Sequence, residues 1–220
     1  MRKVIAAVFV SLDGVMQAPG AQQEDPTRGF KYGGWVFQYG DEVVGQTMGE
    51  TFSAPFDLLL GRKTYEIFAA YWPFRPAGDP IAEPFNRVTK YVATRSGQSL
   101  EWNKSVALRD AATDVAKLKQ QDGPRLLIQG SSNLIQTLLQ HDLIDEFRLL
   151  IFPVVFGTGK RLFGEGTIPA GLKMVDSKIS PNGVIITRYE RAGAVKTGAL
   201  RPDEPSAAEI ERRERMKREG

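Results

Sequence analysis

The chain predicts an α/β fold built on a mainly parallel central sheet, and three observations carry that prediction. Short apolar, β-prone runs alternate with helical patterns from residue 4 to about residue 155, which is the order that βαβ units produce. Two of those runs, Leu58-Leu59-Leu60 and Leu126-Leu127-Ile128, stop at or just before a glycine and pass into a helical pattern. Near residue 180, two further β-prone runs flank Asn182-Gly183, the strongest short-range hairpin signal, so an antiparallel C-terminal hairpin joins the sheet.

Taken in order, residues 4–10 read as a central strand, because nearly every side chain is apolar and a strand covered on both faces needs that. Residues 16–39 carry Pro19, Gly20, Pro26, Gly29, Gly33 and Gly34 among Phe30, Tyr32, Trp35 and Phe37. That is a long aromatic-rich loop, and loops of this length in compact domains are usually functional. Asp41 has the side chain to cap a helix, which leads to the strand at 58–60. A helix begins near Lys63, and a proline-broken stretch runs through Pro84. Residues 88–93 form another strand, closed by Thr94-Arg95-Ser96-Gly97. Asp110 caps the next helix, which ends before Gly123-Pro124, and the strand at 126–128 follows. Residues 146–155 read as a long strand whose Pro153 marks an edge or a strand end. The hairpin is residues 172–179 and 184–189.

With 220 residues and 42% hydrophobic content, the chain is large enough for one domain with a real core. The 29 basic residues are dispersed among 26 acids, so no nucleic-acid partner is expected. No cysteine is present, which leaves no disulfide and no thiolate metal site. His141, the single histidine, makes neither a metal cage nor a triad alone, and serves as a helix-end residue. The first apolar run is interrupted by Ser11 and Asp13, too early for a signal peptide or membrane span, and a cytoplasmic location is expected. The pattern changes after residue 191: residues 192–220 form a charged tail, helical or disordered, separate from a domain at 1–191. From Arg201 onward six bases face six acids, and Ser206 and Glu209 have capping-box spacing behind Pro205.

The glycine corners carry the functional signal. A helix N-terminus presents unpaired N–H groups and partial positive charge, so phosphate binds there. Gly61-Arg62-Lys63-Thr64 and Gln129-Gly130-Ser131-Ser132 are two such corners, which suits a dinucleotide pyrophosphate. Arg62, Lys63 and Arg95 can add a contact to a further phosphate, which favours NADPH over NADH. Ser131 or Ser132 also reads simply as an N-cap.

These segments, with Ser11-Leu12-Asp13-Gly14-Val15 and the run from Phe152 to Phe163, resemble the dihydrofolate-reductase-like family. Within it they resemble the branch named after the reductase (C-terminal) domain of the bifunctional riboflavin-biosynthesis deaminase-reductase. The resemblance spans residues 1 to about 191. It implies an eight-stranded, mostly parallel sheet with flanking helices, NADPH as hydride donor, and a small pyrimidine- or pterin-like or ribosylamino substrate. It also implies a homodimer, for which the glycine-punctuated apolar run 154–163 is a candidate contact. Carried over by residue, Gly61, Arg62, Lys63 and Thr64 match the corner that grips the cofactor phosphates. Thr94, Arg95 and Ser96 match the strand end near the adenine ribose and its phosphate. Gly130, Ser131, Ser132, Asn133 and Leu134 match the second pyrophosphate corner, and Gly157 and Gly159 match the late glycine pair near the cofactor or the dimer contact. Asp13 and Gly14 match the turn beside nicotinamide and substrate.

Asp13 is the candidate for substrate orientation or proton relay, since ligands of open α/β sheets gather beyond the carboxyl ends of strands. The same residue also reads as a turn stabiliser. Trp35, Tyr65 and Trp72 are candidate substrate platforms, although aromatics of this kind equally serve as packing. The resemblance takes in the reductase half alone, and no match to the deaminase half is expected among these residues. The buried carboxylate of dihydrofolate reductase has no matching motif, with Asp41, Glu42 and Glu50 in the corresponding region. A competing reading is a non-catalytic nucleotide-binding module or scaffold, because fold alone does not establish turnover.

Overall fold

Strand β1 (Val4–Ser11) is apolar from Val4 to Val10, as its place inside the sheet demands. Its alternate side chains leave opposite faces: Val4, Ala6, Val8 and Val10 enter one buried cluster, Ile5 and Ala7 another. The computed structural model describes residues 1–198 and 204–219; Arg201 and Pro202 of the charged tail lie outside them. The other strands are β2 (Phe56–Gly61), β3 (Lys90–Ala93), β4 (Ser105–Leu108), β5 (Arg125–Ile128), β6 (Glu146–Phe152), β7 (Leu172–Ile179) and β8 (Ile185–Arg191). They form one eight-stranded sheet in the order β4-β3-β2-β5-β1-β6-β8-β7.

Strands β1 to β6 pair in parallel, and the β7–β8 hairpin adds two antiparallel strands against β6. Parallel neighbours need crossovers, supplied by α1 (Glu42–Ser53), α2 (Arg62–Ala69), α4 (Ala111–Gln120) and α5 (Ser132–Gln140). Val115 and Leu118 of α4 pack with Leu134, Ile135, Leu138 and Leu139 of α5 on one face. On the other, Phe56, Leu58, Leu60, Tyr65, Phe85 and Trp102 form a second cluster. A third cluster seats the long loop on the sheet, through Val15, Phe30 and Trp35 against Phe152, Val184 and Ile186.

The structure departs from the sequence reading in three places. The stretch through Pro84 contains a short helix, α3 (Ala82–Arg87). Proline is its third residue, where the missing N–H has no intrahelical acceptor to lose. Strand β4 was not foreseen: only Leu108 of its four residues is buried, so an edge strand of that length carries no apolar run. Strand β6 stops at Phe152, directly before Pro153, and lies between β1 and β8; the proline marks an end and no edge. Beyond the sheet, α6 (Ala207–Glu219) has no buried residue, and Ser206 Oγ accepts from Glu209 N at 3.3 Å, as the capping spacing predicts.

No described helix is long and apolar enough to cross a membrane.

Candidate active site

A cleft of about 2030 Å³ runs beyond the carboxyl ends of the parallel strands, bordered by Phe9 of β1, Gly61 of β2, Ala93 of β3, Leu108 of β4 and Gln129 after β5. This is where open α/β sheets bind ligands. Because β5 lies between β1 and β2, the two glycine corners are neighbours across the sheet. They are built against each other. A Cβ on Gly61 would sit 2.3 Å from Ser131 Oγ and 2.6 Å from Ser131 Cβ. Gly130, at φ +150°, would place a Cβ 3.4 Å from Thr64 Oγ1. Glycine is therefore required at Gly61 by close approach and at Gly130 by backbone conformation.

Both corners begin helices whose N-termini carry no side-chain cap: Gly61 precedes α2 and Ser131 precedes α5. The N-cap role open to Ser131 in the sequence is thus filled by position only, its hydroxyl making no capping bond. All of Gly61, Arg62, Lys63, Thr64, Gly130, Ser131, Ser132, Asn133 and Leu134 line the cleft, and so do Thr94 and Arg95. Arg62 is already engaged: Nε donates to Glu66 at 2.7 Å and Nη2 to Gln98 Oε1 at 3.0 Å. Lys63 and Arg95 are exposed and make no ion pair with a described residue. Arg109, at the end of β4, also lines the cleft and donates to Ser96 O. It was missed because β4 was missed. The donor set of open helix ends, hydroxyls and cations fits a phosphate-rich coenzyme.

Other sequence candidates lie elsewhere. Ser96 and Gly14 do not line the cleft; Ser96 N donates to Thr94 Oγ1 at 3.1 Å, and Gly14, at φ +81°, makes a turn with its N–H on Ser11 O at 2.9 Å. Gly157 and Gly159 brace the loop. Gly159 has φ +118°, and its Cβ would meet Val15 Cγ1 at 2.7 Å. Trp35 is buried, its Nε1 donating to Gln17 O at 2.8 Å. Tyr65 is buried too, its hydroxyl accepting from Trp102 N at 2.8 Å. Trp72 does line the cleft, and His141 ends α5 with Nδ1 3.0 Å from Thr137 O.

Asp13 has the most altered standing. Ser11 Oγ donates to it at 2.6 Å, Gly157 N at 2.8 Å and Phe156 N at 3.3 Å, and Arg161 adds a 3.3 Å ion pair. Burial pushes its carboxyl up, but the Ser11, Gly157 and Phe156 hydrogen bonds and the Arg161 charge outweigh that, and the net shift is downward. It is absent from the cleft wall. Its bonds tie the turn after β1 to the loop after β6, and the lowered pKa makes it a poor proton carrier.

The carboxylates that do line the cleft are Glu24, Asp25 and Asp110. Asp110 caps α4, accepting from Thr113 N at 2.8 Å. Asp25 pairs with Lys160; burial raises its pKa, and the bonds from Lys160 and Thr27 more than reverse the rise. Glu24 accepts from Gly20 N at 2.6 Å and Ala21 N at 3.1 Å. Burial pushes its carboxyl up beyond what those two bonds offset, and Asp25 adds to the rise. Glu24 therefore keeps its proton to higher pH than the other two. Gln17, buried, holds this loop in place by donating to Asp25 O at 2.9 Å and Thr27 O at 3.0 Å and accepting from Lys160 N at 3.0 Å. None of Asp41, Glu42 and Glu50 lines the cleft.

A family model described as the RibD C-terminal domain matches residues 2–186. The uncharacterised protein YyaP of Bacillus subtilis (strain 168) is 30% identical over 198 residues, which is 87% of this chain and 96% of that protein. Dihydrofolate reductase of Enterococcus faecalis, solved with NADP(H), superposes with a TM-score of 0.54 at 16% identity, covering 86% of this chain and 96% of that one. The diaminohydroxyphosphoribosylaminopyrimidine deaminase/5-amino-6-(5-phosphoribosylamino)uracil reductase of Thermotoga maritima gives a TM-score of 0.55 at 16% identity, covering 87% of this chain and 57% of that one. Both solved structures share the fold of this chain.

Proposed function

Because the chain belongs to the RibD C-terminal domain family, we propose that it is an NADPH-dependent reductase that delivers hydride to a C=N or C=O carbon of a small heterocyclic substrate, in the pyrimidine-, pterin- or ribosylamino class. The observation that carries the reading is the pair of uncapped helix starts, packed glycine to hydroxyl, facing one cleft. The NADP(H) complex of the Enterococcus faecalis reductase, which has the same fold, supports it.

In this reading the N–H groups at the starts of α2 and α5, with the hydroxyls of Thr64, Ser131 and Ser132, hold the pyrophosphate. Lys63 and Arg95, with Arg109 beside Ser96, hold the further phosphate that distinguishes NADPH. The coenzyme, when bound, supplies the hydride. Reduction also consumes a proton, and Glu24, whose carboxyl is the one in the cleft pushed upward, carries it at its carboxyl oxygen. The Gln17-anchored loop over the cleft keeps water from the reacting carbon.

Residues 1–191 are proposed as the reductase domain and 192–220 as an appended charged segment. A homodimer is proposed through the exposed side chains Val155 and Phe163 of the run after β6; sedimentation showing only monomer at micromolar concentration would remove it.

The test of the reductase reading is a titration of the purified chain with NADPH and NADH, followed by nicotinamide fluorescence. Saturable binding with preference for NADPH is expected, and no saturable signal would sink the reading. Cofactor binding without oxidation of NADPH by dihydrofolate, by a ribosylaminopyrimidine or by neutral ring carbonyl compounds would favour the nucleotide-binding module instead.

A further inference from the structure

The geometry points to Lys90 as a positioning residue for the glycine corner at the start of α2, acting from behind the cleft wall, and this inference rests on the reductase reading for what that corner holds. Lys90 opens β3, is 0% exposed and does not line the cleft. Its ammonium has three N–H donors, and three acceptors surround it at 3.0 Å each: Asn86 O, Val88 O and Asn103 Oδ1. The Trp102 ring lies beside it, its centroid 4.4 Å from Nζ. Two of the acceptors are carbonyls at the end of α3, where a helix leaves such groups without an intrahelical donor and favours a cation.

The partners of Lys90 reach the cleft. Trp102 N donates to the Tyr65 hydroxyl at 2.8 Å; Tyr65 is the fourth residue of α2, and the Arg62 guanidinium lies over its ring at 5.8 Å. Asn86 accepts from Trp102 Nε1 at 2.7 Å and donates to Trp72 O at 3.1 Å. On this side the cleft is lined by Arg62, Lys63, Thr64, Trp72 and Phe85. Lys90 therefore fixes α3 against the loop before β4, and that loop braces the first turn of α2.

No ion pair among the described residues includes Lys90. The carboxylates on the elements packed around it are engaged elsewhere. Asp57 of β2 pairs with Arg2 and accepts from Thr89 N at 3.1 Å, Glu66 of α2 pairs with Arg62, Glu83 of α3 accepts from Gly78 N at 2.8 Å, and Glu101 accepts from the Ser99 hydroxyl. The cation that acts on Lys90 is Lys104, whose Nζ donates to Arg87 O at 2.9 Å. A buried ammonium without a counter-ion costs stability, and an apolar side chain would fill the same place without that cost. What it would not supply is directed donors to α3 and to the loop.

Burial, with Lys104 adding to it, pushes the Lys90 pKa down from the ordinary 10.5 to about 8. A neutral amine has two N–H donors for the three acceptors and turns its lone pair toward the third. Because the folded value lies below the unfolded one, the unfolded chain holds more protons between about pH 8 and 10.5, and Lys90 adds to global stability as pH rises through that range. Loosening of the corner there is local and not unfolding.

The test is the NADPH affinity of the full chain, read by nicotinamide fluorescence from about pH 7 to about 9.5, where the coenzyme phosphates, with a second pKa of about 6, keep a constant charge. The parent should lose affinity about threefold or more with a midpoint near pH 8, with no matching fall in Tm. Lys90→Met should bind NADPH as weakly at neutral pH as the parent does at the alkaline end, with no midpoint near 8. Asn103→Leu leaves two acceptors for the two donors of the neutral amine, so it should flatten the profile with Lys90 intact, which keeps the test decisive where the methionine variant fails to fold. A parent profile without that midpoint, or the same midpoint in either variant, overturns the inference. Absence of NADPH binding by the parent would instead remove the reductase reading, and amide exchange then decides the role of Lys90. The α2 and α3 amides should be better protected in the parent than in Lys90→Met at about pH 7, and equal protection there overturns the inference.

Discussion

Helices α1 and α4 start with a carboxylate, while α2 and α5 start without one. Asp41 accepts from Val44 N at 2.9 Å and Asp110 from Thr113 N at 2.8 Å; Gly61 and Ser131 make no side-chain cap. In the first pair the helix-end N–H groups and partial positive charge are spent inside the protein. In the second they remain available and face one cleft, side by side. A local stability device is absent at the two helix starts where the proposed coenzyme phosphates would sit, and present at the other two.

The comparison can be broken most directly by moving the device. Ser131→Asp should install a cap on α5 without lowering Tm, while its negative charge at the corner weakens NADPH by about 1 to 3 kcal/mol, or roughly fivefold to over a hundredfold. Unchanged NADPH affinity in a folded variant would show that the α5 start does not bind phosphate. Next in size, Gly61→Ala should cost NADPH affinity about tenfold, because the new Cβ would overlap Ser131, and Ser131→Gly in the same chain should recover part of the loss. Equal affinities in the single and double variants would mean that the packing of the two corners does not shape the site.

Arg95→Ala should weaken NADPH several-fold to about tenfold and leave NADH nearly unchanged, whereas Arg62→Ala should discriminate less, since Glu66 and Gln98 already hold that guanidinium. A larger NADPH-specific loss at Arg62 than at Arg95 would reverse these assignments. The smallest effects belong to the capped helices. The N–H groups of Val44 and Asn182 hold the Asp41 carboxyl below its ordinary pKa, and the Thr113 N–H and hydroxyl do the same for Asp110. A carboxyl with a lowered folded pKa adds stability above its unfolded value of 3.8 and loses it as pH falls through the folded value. Thermal melts between pH 5 and about 2 should therefore fall less steeply in Asp41→Asn with Asp110→Asn than in the parent. Parallel curves would show that these caps contribute nothing measurable. NADPH affinity should be preserved in both substitutions.

How much of this was readable beforehand differs by element. The caps Asp41 and Asp110, the glycine corners and the Asn182-Gly183 turn are local: each acts through residues within about four positions, so sequence spacing is enough to see them. The same holds for β1, whose unbroken apolar run requires cover on both faces. Strand β4 and helix α3 were hidden because neither has a local signature. The former owes its place to pairing with β3, from Lys90 opposite Ser105 to Ala93 opposite Leu108. The latter packs Phe85 into a core assembled from distant segments. Arg109 stayed hidden with β4.

For the candidate site, the two glycine corners that line the cleft were legible and its aromatic lining was not. Asp13 illustrates why: its partners Phe156, Gly157 and Arg161 lie more than 140 positions away, and they turn a plausible proton relay into a fastening for two loops. Trp35 and Tyr65, read as platforms, are consumed by the core, while Phe52, Phe68 and Tyr71 joined Trp72 on the cleft wall. An aromatic side chain has the same local pattern in either setting.

Apart from β4 and α3, the order of strands and helices, the parallel sheet with its closing hairpin, and the presence of two glycine-marked helix starts were determined by the amino-acid sequence alone, because hydrophobic period, capping and turn chemistry act over short spans of chain. That the two corners abut, which cleft carboxyl has its pKa pushed upward, and which rings face the cleft were decided only in three dimensions. Those properties depend on burial and on charges brought together from distant positions, and burial is a property of the assembled fold.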